Sequence, residues 1–176
     1  MKGASNSKPM RRHGGSGGAR AIPAPGPVVL HIDDDPNDSE LFRAAIQQAQ
    51  LNFDLQSVNS GEHAIDYLNG SGQYQDRERY PLPSLILLDL KMPRANGLEV
   101  LKWIRTKCGS AKVPVVMLSG SELKDDMQSA YAHGADSYVI KPLGFAALVE
   151  LVKSLNMAWL LPAAACRREA GLPRGA

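Results

Sequence analysis

Hydrophobic positions along the chain fall into short apolar runs separated by longer amphipathic segments. Most of the short runs are apolar along nearly their whole length rather than at every second position. Such runs are typical of β-strands that are buried on both faces. They predict five strands, at residues 28–32, 53–58, 84–89, 113–118 and 137–140.

In the longer segments, apolar residues recur every three or four positions, which is the spacing of an amphipathic helix. The predicted helices cover residues 38–50, 62–68, a segment with Leu98, Leu101 and Ile104 aligned, 121–133 and 145–160. Five strand-helix repeats favour a parallel α/β sheet with helices on both faces, and right-handed crossovers leave few topologies. We therefore expect a flavodoxin-like, doubly wound sheet with strand order 2-1-3-4-5.

Composition and charge divide the chain into three parts. Residues 1–27 are rich in Gly and Pro and carry five basic and no acidic side chains, which predicts a disordered basic arm. Residues 28–160 form the predicted domain, and residues 161–176 are predicted to be a flexible tail. The chain contains no apolar stretch of 18 residues and no secretory signal pattern, so we expect a cytoplasmic protein without a membrane anchor.

Polar residues that could do chemistry stand at the ends of the predicted strands. Ligands of open parallel sheets bind beyond the carboxyl ends of the strands, so these residues should meet at one edge. They are Asp33, Asp34 and Asp35 after the first strand, Asp89 in the third, Ser119 after the fourth and Lys141 after the fifth.

This set of side chains predicts phosphoryl transfer. Carboxylates that converge at a partly buried site repel one another unless a cation neutralises them. Oxygen ligands favour Mg²⁺, which also binds phosphate oxygens. An aspartate can act as the nucleophile and form an acyl phosphate, while a metal and an ammonium group stabilise the transferring phosphoryl group.

Four motifs in order resemble the receiver domain of two-component response regulators. They are residues 31–36 (HIDDDP), 85–93 (LILLDLKMP) with Gly97 four residues later, 115–120 (VVMLSG) and 134–142 (GADSYVIKP). The resemblance extends from Val28 to about Trp159. It implies a protein that is phosphorylated by a histidine kinase and that catalyses only its own phosphorylation and dephosphorylation.

The resemblance implies a role for each residue at the edge. Asp33 and Asp34 match the acidic pair that holds Mg²⁺, Asp89 matches the phosphoacceptor and metal ligand, and Lys91 should offer its backbone carbonyl to the metal. In this alignment Asp35 is a turn or helix-cap residue. The two residues that would contact the phosphoryl group are Ser119 and Lys141.

Two further implications concern activation. Ser119 and Tyr138 match the residues that switch on phosphorylation, when the hydroxyl moves toward the phosphoryl group and the aromatic ring turns into the vacated space. The surface made by the fourth helix, fifth strand and fifth helix would then change shape and signal. The Lys141–Pro142 peptide bond matches one that the family holds in the cis form.

A subgroup resemblance comes from the long connection at residues 70–83 and from a final helix that continues to Trp159. Both features look like the small stand-alone receivers that serve phytochrome-type histidine kinases, although Ala158 stands where an aromatic residue often precedes the tryptophan. The final helix also has more apolar residues than one core-facing stripe needs, with Val149, Met157 and Leu160 left over. We expect a homodimer through this helix, or a tail that folds back over it.

Other functions remain open at this point. The protein could serve as a phosphate sink, a phosphorelay intermediate or a scaffold that takes no phosphate. An aspartate-nucleophile phosphatase typically has a second aspartate two residues after the first, where this chain has Lys91. No segment of the length of a DNA-binding domain follows residue 160, so we expect signalling through protein contacts.

Overall fold

The computed structural model describes residues 26–92, 96–107 and 113–162. The arm predicted at residues 1–27 lies almost wholly outside these ranges, as does most of the tail predicted at 161–176. Both boundaries therefore stay predictions. Leu161 and Pro162, the first two residues of the predicted tail, are helical.

A five-stranded sheet lies at the centre of the described chain, and every neighbouring pair of strands is parallel. The strand order is 2-1-3-4-5, which confirms the predicted flavodoxin-like fold. The strands are β1 (Val28–Ile32), β2 (Asp54–Val58), β3 (Leu85–Asp89), β4 (Val115–Ser119) and β5 (Ser137–Ile140).

Five helices cover the two faces of this sheet and bury an apolar core on each side. Helices α1 and α5 pack together on one face, while α2, α3 and α4 cover the other. Their bounds are α1 (Pro36–Gln48), α2 (Gly61–Asn69), α3 (Gly97–Lys107), α4 (Lys124–Ala132) and α5 (Phe145–Leu155).

Side-chain hydrogen bonds set where two of the helices begin. Helix α1 starts two residues before the predicted 38 because Asp35 caps it, accepting a hydrogen bond from the Asn37 N–H at 2.9 Å, and Pro36 fits the first helical position. Helix α4 starts after the predicted 121 because Ser121 forms a turn, with its N–H donating to Ser119 Oγ. Leu123, the residue before α4, is exposed.

The long connection at residues 70–83 is held against the end of α2. The Arg77 guanidinium donates to the carbonyl oxygens of Tyr67 and Leu68, which lie at the end of this helix and lack partners within it. Tyr74 and Tyr80 pack edge-to-face at 5.1 Å between ring centroids and extend the core around Tyr67. The insertion therefore has its own packing rather than forming an open loop.

Helix α5 buries more of its apolar residues than the sequence predicted. Val149 and Leu160 were expected to remain exposed, but they are only 9% and 1% exposed and belong to the core shared with α1. A π-helical turn at Asn156–Leu160 explains Leu160, because the extra residue in that turn rotates the following side chains by about 100°. Of the three expected residues, Met157 alone stays on the surface, at 69% exposed.

Candidate functional site

Three carboxylates converge at the carboxyl edge of the sheet. Asp33 and Asp34 follow β1, and Asp89 is the last residue of β3. Each contributes one oxygen atom to a group in which all three atoms lie within 4.8 Å of one another. Asp33 and Asp89 are buried, whereas Asp34 is exposed, so solvent reaches the group from one side.

Backbone hydrogen bonds hold Asp33 in this position. Its N–H donates to the carbonyl oxygen of Val58 in β2 at 3.1 Å, and its Oδ1 accepts from the N–H of Asp35 at 3.0 Å. Asp35 points away into its capping bond and is not part of the carboxylate group. This is the helix-cap position that the sequence predicts for Asp35.

The ammonium of Lys141 reaches the group from the end of β5. Its Nζ donates to Asp33 Oδ2 at 2.7 Å and to Asp38 Oδ2 at 2.8 Å, and lies 3.5 Å from Asp89 Oδ2. Burial favours the neutral amine, but the hydrogen bonds to Asp33 and Asp38 and the nearby carboxylate charges outweigh it and raise the pKa of Lys141. This lysine is therefore a fixed cation at neutral pH.

Asp89 carries an electrostatic cost in this arrangement. Burial is the largest influence and raises the pKa of Asp89, and the negative charge of Asp33 raises it further. The Lys141 ammonium and a hydrogen bond from the Lys91 backbone N–H lower this pKa but do not offset the increase. A cation bound among the carboxylates would relieve that cost. Because the donors are all carboxylate oxygens, the site fits a hard divalent cation such as Mg²⁺ or Mn²⁺.

Ser119 and Tyr138, the two residues expected to switch on phosphorylation, are linked through Ser121. Ser119 is fully buried, and its Oγ accepts a hydrogen bond from the Ser121 N–H at 3.1 Å. The Ser121 carbonyl oxygen accepts from the Tyr138 hydroxyl at 2.9 Å. The Tyr138 ring is therefore already buried before phosphorylation, whereas the resemblance implies that it turns inward only when Ser119 moves.

The remaining residues at the edge also have definite positions. The Lys91 side chain points away from the carboxylates, with its Nζ 3.7 Å from Asp126 Oδ2. The Lys141–Pro142 bond, which the resemblance implies to be cis, is trans, as are the other peptide bonds among the described residues. Gly97 donates its N–H to Leu90 O at 3.1 Å, and any side chain there would collide with the carbonyl oxygen of Asp89.

Two residues of this site were missed or misjudged from the sequence. Asp38 was not singled out, although it lies in the first turn of α1, four residues after Asp34 and therefore near the same edge. His31, the first residue of the motif at residues 31–36, is fully buried: its Nδ1 is hydrogen-bonded to Ser39 Oγ at 3.0 Å and its Nε2 lies 3.6 Å from Asp33 Oδ2. Burial lowers the pKa of His31 to about 4.

No helix within the described ranges is long and apolar enough to cross a lipid bilayer.

The chain is similar to response regulators in both sequence and structure. Response regulator Rcp1 from Synechocystis is 32% identical over 144 residues, a match that covers 80% of this chain and 96% of the relative. The crystal structure of response regulator RPA3017, in red light signaling of R. palustris, is 34% identical with a TM-score of 0.72, covering 76% of this chain and 94% of that one.

Two further solved structures resemble the chain. The phosphorylated cyanobacterial phytochrome response regulator RcpA is 30% identical with a TM-score of 0.69, over 77% of this chain and 94% of that one. The Mn²⁺-bound form of Rcp1 is 30% identical with a TM-score of 0.66, over 76% and 94% of the two chains. Phytochrome response regulators are thus among its relatives, as the long connection and final helix indicate. Residues 29–153 match the family described as the response regulator receiver domain, and the chain belongs to that family.

Proposed function

We propose that the chain is a response regulator whose Asp89 accepts a phosphoryl group from a histidine kinase in the presence of Mg²⁺. The observation that carries this proposal is the convergence of Asp33, Asp34 and Asp89, with the Lys141 ammonium 2.7 Å from Asp33. Membership of the receiver family supports the same reaction.

In the proposed reaction a carboxylate oxygen of Asp89 attacks phosphorus, and the bond between phosphorus and the kinase histidine nitrogen breaks. Asp33, Asp34, Asp89 and the backbone carbonyl of Lys91 would hold Mg²⁺, which when bound neutralises negative charge on the phosphoryl oxygens.

The hydroxyl of Ser119 and the ammonium of Lys141 would donate hydrogen bonds to the same oxygens. Apart from gaining and losing this phosphoryl group, the chain would catalyse no reaction.

The surface of α4, β5 and α5 would change shape on phosphorylation and contact the partner protein. Phosphorylation adds about 1.5 to 2 negative charges and new hydrogen-bond acceptors, which would draw the Ser119 hydroxyl away from the Ser121 N–H. The Tyr138 hydroxyl is bonded to the same residue, Ser121, so a shift of this turn would move the start of α4 relative to β5.

The kinase that we propose as the partner is of the phytochrome type, and we propose that the chain itself is cytoplasmic. Support comes from the relatives, among them a cyanobacterial phytochrome response regulator. We also propose a homodimer through α5 and the π-helical turn that continues it, where Met157 is exposed.

A phosphotransfer experiment tests the central proposal. The full chain is incubated with Mg²⁺ and labelled acetyl phosphate, or with a labelled phytochrome-type kinase, and the modified residue is identified by mass spectrometry. One base-labile acyl phosphate on Asp89 is expected, together with its loss in Asp89→Asn and after chelation of the metal.

The matched control is Asp54→Asn, which removes an exposed carboxylate at the opposite edge of the sheet and should label normally. Undiminished labelling of Asp89→Asn would overturn the assignment.

A further inference from the structure

Asp38 is a fourth carboxylate at the site, and it belongs to neither the metal group nor the acceptor strand. It lies in the first turn of α1, and its Oδ2 accepts a hydrogen bond from Lys141 Nζ at 2.8 Å. The sequence separation between the two residues is 103 positions, so the contact depends on the tertiary fold.

An acidic residue in the first turn of a helix has an ordinary structural explanation, because it interacts favourably with the helix dipole. That interaction alone does not require a bond to the lysine. Helix α3 offers a comparison. Glu99, like Asp38, is the third residue of its helix, but it is exposed, and the described contacts include no comparable ion pair for it.

The geometry around the ammonium group suggests a more specific role. Lys141 has three N–H donors; two point to Asp33 and Asp38, and Asp89 lies at the longer distance of 3.5 Å. Two short bonds fix the orientation of the ammonium group, so the third donor is directed toward the acceptor. A cation bound by Asp33 would compete for one of those bonds, whereas Asp38 would remain available.

We propose that Asp38 is a positioning residue that directs the Lys141 ammonium at the phosphoryl group on Asp89. This inference rests on the proposed function, since it assumes that Asp89 takes the phosphoryl group. The role requires a hydrogen-bond acceptor at position 38, and an amide oxygen can supply one. Asp38→Asn should therefore retain much of the function that Asp38→Ala loses.

The test uses the full chain and beryllofluoride, a stable mimic of an aspartyl phosphate, at a Mg²⁺ concentration that saturates each variant. Fluorine NMR reports the dissociation constant of the adduct. We expect Asp38→Ala to raise this constant about tenfold, the effect of losing one hydrogen bond to a charged group. Asp38→Asn should raise it by less than about threefold, and the control Glu99→Gln should leave it unchanged.

A double-mutant cycle shows whether Asp38 acts through Lys141. If it does, adding Asp38→Ala to a Lys141→Gln chain should change the dissociation constant no further. Equal effects of Asp38→Ala in both backgrounds, or no effect in the wild-type background, would overturn the inference. If the wild-type chain forms no adduct that Asp89→Asn abolishes, the proposed function itself fails, and the two failures are thereby distinguished.

Discussion

The Tyr138 hydroxyl donates a hydrogen bond to the backbone carbonyl of Ser121, across 17 positions of sequence and within the buried part of the molecule. The bond joins β5 to the turn that precedes α4. That turn is also held by Ser119, the last residue of β4. The proposed link between phosphorylation and the surface of α4, β5 and α5 would thus depend on the short backbone segment at residues 119–121.

Tyr138→Phe tests this link directly. The change keeps the buried ring but leaves the Ser121 carbonyl without its donor, so we expect the free energy of unfolding to fall by about 1 kcal/mol. Phosphoryl labelling at Asp89 should persist, because the ring makes no hydrogen bond to the carboxylate group among the described contacts. Urea denaturation and acetyl-phosphate labelling measure the two effects; loss of labelling with unchanged stability would contradict this account.

Ser119→Ala should separate acceptance of the phosphoryl group from the response to it. Asp89, the metal ligands and Lys141 stay in place, so the variant should still be labelled. The hydroxyl that would be drawn to the phosphoryl group is lost, so the change in partner binding or oligomeric state should be weak. A response as large as that of the wild-type chain, measured by light scattering with and without beryllofluoride, would show that Ser119 does not couple the two.

Asp89→Asn should stabilise the metal-free protein. The pKa of Asp89 lies above its ordinary value of 3.8, so the folded state retains a proton that the unfolded state releases at the same pH. Stability therefore falls as the pH rises from 3.8 through the raised value, and the loss is complete once the carboxyl group is ionised in the folded state. A neutral amide avoids this loss.

The melting temperature at pH 7 in a chelator measures this effect, with Asp54→Asn as the control. Mg²⁺ should then raise the melting temperature of the wild-type chain more than that of Asp89→Asn, since the variant lacks one ligand. A metal-free melting temperature that drops in Asp89→Asn would contradict the cost assigned to this carboxylate.

His31 should make the protein sensitive to acid. Its pKa falls from 6.5 to about 4 on folding, so between these values the unfolded chain binds a proton that the folded chain does not. Stability contributed by the neutral ring is fully present above pH 6.5 and is lost as the pH falls toward 4, by up to about 1.4 kcal/mol per pH unit.

His31→Gln should flatten the stability profile in that window, whatever its effect on stability at pH 7. Denaturation midpoints at several pH values measure the slope, and His133→Gln, which removes an exposed imidazole, is the control. A slope that is the same in His31→Gln and the wild-type chain would mean that other groups cause the acid sensitivity.

The dimer proposal is tested by comparing two residues of the last helix. Met157→Glu places a charge on the exposed surface and should dissociate a dimer without unfolding the chain. Val149→Glu should instead destabilise the monomer by at least about 3 kcal/mol, because Val149 lies in the core. Sedimentation over a concentration series measures the first effect, and a wild-type chain that stays monomeric throughout would refute the dimer.

Much of the fold could be predicted because β1, β3 and β4 are apolar along most of their length and are followed by a turn or a polar residue. Asp89 was identifiable for that reason, because it is the last residue of the buried strand β3 and therefore lies at the carboxyl edge of the sheet. Asp38 was not, because a helical pattern shows which residues share a face but not which distant residue that face will meet.

The apolar surface of α5 was overestimated for a different reason. The predicted face assumes 3.6 residues per turn up to residue 160, whereas the structure has a π-helical turn from Asn156. Nothing in the sequence marks that turn, and it decides whether Leu160 faces solvent or the core. Tyr138 was placed correctly in β5, but the burial of its ring depends on the turn at Ser121, which was assigned to a helix.

Gly97 has a consequence for how the receiver can move. No side chain fits between this residue and the carbonyl oxygen of Asp89, so the first turn of α3 lies directly against the peptide that carries the proposed phosphoacceptor. Contact between two backbones has no rotamers through which it could relax. Any displacement of the Asp89 peptide must therefore be shared by the start of α3, and this helix is mechanically part of the proposed phosphorylation site rather than a neighbour of it.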